Sequence, residues 1–101
     1  MGILNFFGGG NSSTDAIQEY LDKGAIVLDV RSQAEYDSGH VEGSVLIVKE
    51  EIQSRVSEIK SWDKPVIVVC RSGGRAGSVL PFIQNAGVDA INGGAWQNAN
   101  R

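Results

Sequence analysis

Val66-Ile67-Val68-Val69-Cys70-Arg71-Ser72-Gly73-Gly74-Arg75 is the stretch on which the fold turns. Four consecutive β-branched residues fit a short strand buried on both faces, because a strand with one wet face alternates apolar and polar residues. A glycine-rich turn follows, and then Val79, Leu80, Phe82 and Ile83 recur at helical spacing. The unit is therefore strand, loop, helix. Working upstream, Lys49 to Lys60 carries Ile52, Val56 and Ile59 among charged residues and reads as one solvent-backed helix. Val45 to Val48 reads as a strand. Ser32 and Glu35 have capping-box spacing and open a short helix before Gly39. Ala25 to Leu28 forms another apolar run, ending at Asp29-Val30-Arg31, and Ser12 with Asp15 caps a first helix carrying Ile17, Tyr20 and Leu21. Downstream, Val88 to Asn92 reads as a last short strand, after which Gly93-Gly94 turns Trp96 back against the body. This alternation predicts an α/β fold with a mainly parallel sheet.

The chain has 101 residues, a length that suits one compact domain. Residues 1–11 read as a flexible or partly ordered leader containing Gly8-Gly9-Gly10, and residues 12–101 as the folded domain. Nine Lys and Arg against twelve Asp and Glu give a formal charge of −3, which argues against a nucleic-acid partner. No apolar run approaches the roughly 20 residues of a membrane-spanning helix. Met1 to Phe7 lacks the basic start and apolar length of a secretory signal, and Phe6 stands where a myristoylation signal wants Ser or Thr. No membrane partner and a cytoplasmic location are the resulting expectations. The single cysteine, Cys70, cannot form an internal disulfide. With His40 as its only companion among good soft or imidazole ligands, it gives no metal-site spacing.

Cys70 stands at the carboxyl end of the central strand, where open α/β sheets bind ligands. Gly73 and Gly74 permit a turn with inward-facing amides, and the helix start adds unpaired donors and a positive dipole end. Arg71 and Arg75 add positive charge. Such a cradle favours thiolate over thiol and marks Cys70 as a candidate nucleophile. Taken singly, a cysteine after four apolar residues is an ordinary buried small side chain, and Asp29 and His40 are ordinary loop residues. The loop has no Lys followed by Ser or Thr, so it is not a nucleotide-binding P-loop, and Gly93-Gly94 lacks a dinucleotide fingerprint.

Four segments together resemble the single-domain rhodaneses, the thiosulfate sulfurtransferase-like proteins. These are Leu28-Asp29-Val30-Arg31, then Glu35 through Ser44, then Cys70 through Arg75, and finally Gly93-Gly94-Ala95-Trp96. The likeness spans roughly residues 14 to 97, in the family's order. It implies a rhodanese-like three-layer fold, with a central mainly parallel sheet flanked by helices. It also implies a persulfide on Cys70, a donor and oxyanion cradle of Arg71, Ser72, Gly73, Gly74 and Arg75, and support from Asp29 and Arg31. No metal or organic cofactor is implied.

The expected reaction carries sulfane sulfur from thiosulfate or a similar donor to cyanide, a small thiol or a protein thiol. One cysteine cannot resolve its own persulfide, so the acceptor must be external. Two other readings remain at this point: a catalytically weak, sulfur-responsive protein-binding module, and a cysteine phosphatase. Phosphatases of related fold resemble this pattern but carry a longer loop, preceded by histidine where Val69 stands. The sequence departs from the family at Glu42 and Val48, both commonly proline, and places Pro81 inside the helix after the loop.

Overall fold

The computed structural model describes residues 13–101, so the Ser12–Asp15 cap and the leader expected over 1–11 lie outside the described residues. Helix α1 (Ser13–Asp22) leads into strand β1 (Ile26–Asp29), helix α2 (Gln33–Asp37) and strand β2 (Val45–Leu46). Two 3-10 turns, Lys49–Glu51 and Gln53–Arg55, precede helix α3 (Val56–Ser61). Strand β3 (Val66–Cys70), helix α4 (Gly74–Asn85), strand β4 (Ala90–Ala95) and a 3-10 turn (Trp96–Ala99) complete the order. The strands form one sheet in the order β2-β1-β3-β4, every neighbouring pair parallel.

Every residue of β3 is buried, as its unbroken apolar run requires, and its side chains divide by the two-residue period of a strand. Val66, Val68 and Cys70 pack with Ile59, Val79 and Ile83 of α3 and α4. Ile67 and Val69 point the other way, into a second cluster with Ile17 of α1 and Ala99 of the last turn. Each wholly buried aliphatic of this kind contributes about 1.5–3 kcal/mol. The sheet is thus covered on both faces, giving the expected three layers.

The structure corrects the local reading in three places. Lys49 to Lys60 is not one helix: two 3-10 turns carry the chain to Arg55, and only Val56–Ser61 is α-helical. The apolar spacing still serves, since Ile52 and Ile59 are both fully buried. The second strand is assigned over Val45–Leu46 only: Ile47 still donates to the Asp29 carbonyl at 3.0 Å, and Val48 caps the 3-10 turn that follows. Val48 takes φ −60°, the value a proline would impose, so the missing ring leaves the backbone path intact.

The last strand is shifted and lengthened to Ala90–Ala95, so Gly93-Gly94 lies inside it rather than in a turn. Val68 pairs with Asn92 and Val69 with Gly94, leaving Gly93 as the extra residue of a bulge. Apolar scoring could not extend a strand through two glycines. Helix α4 continues through Pro81. Pro81 and Gly77 are both exposed, so water can reach the carbonyl that lacks its helical partner.

Candidate active site

Strand β3 delivers Cys70 to the carboxyl end of the sheet, and α4 begins four residues later. Gly73 makes the reversal possible with φ +102°, a backbone state that disfavours side chains. The turn aims amides at the sulfur: Gly73 N–H donates to Cys70 Sγ at 3.0 Å and Ala76 N–H at 3.4 Å. Burial pushes the thiol up, but the amides of Ala76, Ser72, Gly73 and Arg75 outweigh it and hold the thiol below its ordinary value. Cys70 itself is 1% exposed and sits at the floor of this ring of donors.

The two arginines of the loop differ. Arg75 gives its guanidinium to Glu35 of α2, Nη1 to Oε1 at 2.7 Å and Nη2 to Oε2 at 3.0 Å. Its share in the sulfur ring is its backbone amide. Arg71 is exposed, and among the described residues it forms no ion pair. It lines a cleft of about 350 Å³ with Arg31, Glu35, Ser38, Trp96 and Gln97. Ser72 has an exposed side chain and contributes its amide, while Gly74 opens α4.

Asp29 and Arg31 form a buried pair, Nε to Oδ1 at 2.9 Å and Nη2 to Oδ2 at 2.8 Å. Arg31 also donates to the carbonyls of Glu35 at 3.2 Å and Gly39 at 2.7 Å, and its guanidinium lies 5.0 Å from the Trp96 ring centre. Two ion pairs, Asp29–Arg31 and Glu35–Arg75, are therefore joined by the bond from Arg31 to the backbone carbonyl of Glu35. The link to the loop is indirect and passes through Glu35. His40 is exposed, donates from Nδ1 to the Tyr36 carbonyl at 2.7 Å, and stacks on the Tyr36 ring at 3.7 Å.

Glu35 read from sequence as the acid of a capping box, and it fills that place: its Oε1 accepts from the Ser32 amide at 3.1 Å. Its second task, holding Arg75, had no local signal. The same is true of Asn92, whose Nδ2 donates to the Gly73 carbonyl at 3.0 Å. The Ala76 amide was foreseeable only as one unnamed donor of a helix start. No helix among the described residues is long and apolar enough to cross a membrane.

The chain is similar to known proteins in sequence and in fold. The sequence is 31% identical over 87 residues to the thiosulfate sulfurtransferase GlpE of Pseudoalteromonas translucida, covering 80% of this chain and 82% of that one. It is 30% identical over 80 residues to the GlpE of Pseudomonas syringae pv. syringae, covering 76% and 74%. A rhodanese-related protein of Thermoplasma volcanium superposes with a TM-score of 0.71 at 25% identity, covering 85% of each chain. The human single-domain sulfurtransferase TSTD1 has the same fold, with a TM-score of 0.67 at 23% identity, covering 90% of this chain and 95% of that one. The model of the rhodanese-like domain matches residues 13–97, which include both charged pairs and the entire sulfur-facing loop, and the chain belongs to that family.

Proposed function

We propose that the protein is a sulfurtransferase that carries sulfane sulfur on Cys70. The observation behind this reading is the convergence of backbone amides on Cys70 Sγ at the end of β3. Thiosulfate sulfurtransferase relatives of similar length support it. In the first half-reaction the Cys70 thiolate attacks the outer sulfur of thiosulfate or a related donor. A bond forms between Sγ and that sulfur, the sulfur–sulfur bond of the donor breaks, and sulfite leaves with the electron pair. The negative charge then rests on the terminal sulfur of the persulfide, where the amides of the loop stabilise it. In the second half, cyanide or an external thiolate attacks the terminal sulfur. The persulfide bond breaks and its electron pair returns to Cys70 as thiolate, completing a ping-pong cycle.

Arg71, Ser72, Gly73, Gly74 and Arg75 act as the donor cradle, with the Arg71 side chain supplying charge at the cleft and the amides acting at the sulfur. Asp29 and Arg31 steady α2 and, through Glu35, the loop. A protein cysteine is a further acceptor of the same chemistry. The test joins thiosulfate-to-cyanide turnover with intact-mass measurement after exposure to thiosulfate. The wild-type chain should gain one sulfur atom and turn over, and Cys70→Ser should do neither. A wild-type chain that gains no sulfur, or a Cys70→Ser variant that still transfers it, overturns the reading.

A further inference from the structure

The glycine that aims the loop at the sulfur has no side chain to fix its torsions, so something else must hold it. Gly73 donates its N–H to Cys70 Sγ at 3.0 Å, while its carbonyl faces away and accepts from two other elements. One donor is the Gly77 amide at 2.9 Å, in the first turn of α4. The other is Asn92 Nδ2 at 3.0 Å, reaching across from β4. The Asn92 carboxamide is itself fixed, because its Oδ1 accepts from the Gly94 amide at 2.8 Å. That amide becomes available because the bulge at Gly93 interrupts the regular ladder.

Three glycines keep the way clear. A Cβ on Gly77 would come within 3.3 Å of Asn92 Nδ2, a Cβ on Gly73 within 3.3 Å of Gly94 Cα, and Gly94 takes φ +77°. A first helical turn frays more readily than the sheet, so the tether from β4 is the firmer of the two. We propose that Asn92 is a positioning residue for sulfur transfer: by holding the Gly73 carbonyl outward, it keeps the Gly73 amide directed at the sulfur that gains and loses the transferred atom. This role rests on the sulfurtransferase reading of the same site. It gives the strand bulge a task in the chemistry, although Asn92 touches neither sulfur nor substrate.

The test measures the iodoacetamide reaction rate of Cys70 against pH in the full chain, together with sulfur uptake from thiosulfate. In Asn92→Ala the midpoint of the rate profile should rise by about half a unit or more, as a donor to the thiolate loses its alignment. Asn92→Asp keeps an acceptor for the Gly94 amide but cannot donate to Gly73 and adds a like charge, so its midpoint should rise further. Gly77→Ala crowds the carboxamide without deleting it, and its added helix propensity protects the fold. It should shift the midpoint in the same direction by less. Asn98→Ala, which frees only the Gly93 carbonyl, should leave the midpoint in place. Unshifted midpoints in Asn92→Ala and Gly77→Ala would overturn the role of Asn92. If those midpoints move while the wild-type chain never gains sulfur, the sulfurtransferase reading fails and the positioning of the thiolate by Asn92 stands.

Discussion

Glu35 and Arg75, 40 residues apart in sequence, meet through two parallel charge-assisted bonds of 2.7 and 3.0 Å. Their planar forks match, which fixes direction as well as distance. The Arg75 guanidinium, together with the Ser32 amide, holds the Glu35 carboxyl well below its ordinary 4.5. Because the folded value is depressed, the pair's contribution to stability is complete above the ordinary carboxylate range. It is lost as pH falls through that range toward the folded value. Thermal melts from pH 7 down to pH 3 should show Glu35→Gln melting below wild type at neutral pH, with the gap narrowing as the solution is acidified. A gap constant with pH would show that the charge on Glu35 adds nothing.

The Asp29–Arg31 pair is buried, so breaking it differs from trimming a surface bridge. Asp29→Asn keeps the shape and removes the charge, leaving Arg31 uncompensated beside apolar neighbours. A loss of about 3–5 kcal/mol is expected, read as a lower urea midpoint with an unchanged slope. A loss below about 1 kcal/mol would mean that water or the carbonyls of Glu35 and Gly39 satisfy the guanidinium without its partner.

Gly93 sits where the bulge presses on β3. A Cβ there would meet Ile67 Cγ2 at 2.6 Å and Val69 Cγ1 at 3.0 Å, both on fully buried side chains. Gly93→Ala should cost about 1–3 kcal/mol through overpacking, measured by denaturant unfolding. A neutral result would show that β4 can slide outward freely.

Pro81 offers a gain. Its exposed position in α4 lets Pro81→Ala restore a helical N–H without disturbing the core. Proline costs about 3 kcal/mol relative to alanine in a helix interior, and up to about 1 kcal/mol of this is returned by its stiffening of the unfolded chain. Stability should rise by about 1–2 kcal/mol, seen as a higher melting temperature. A fall would indicate that the helix is shaped around the proline ring.

The legible part of the sequence was the part written in short-range pattern. Val66 to Val69 gave a doubly covered strand, and the following Gly73-Gly74 gave an inward-facing turn, because both depend on neighbours a few residues away. The Ser32–Glu35 cap was legible for the same reason. The grip of Glu35 on Arg75 and the reach of Asn92 to Gly73 were not, since each joins elements brought together only by the parallel crossovers. Lys49 to Lys60 misled because 3-10 and α geometry bury nearly the same apolar spacing over a few residues. Gly93-Gly94 misled because glycine pairs signal turns more often than a strand interrupted by one extra residue.

Among the described residues the outer members of the sheet are β2 and β4, and they have a bearing on self-association. β2 is two residues long, and β4 carries an irregular register at its middle. Unpaired strand margins can template stacking between copies, and shortness and local twist are the usual protections against it. The glycine-rich irregularity that brings Asn92 to the loop therefore also makes that margin a poor match for a second molecule, so straightening β4 would raise the aggregation hazard.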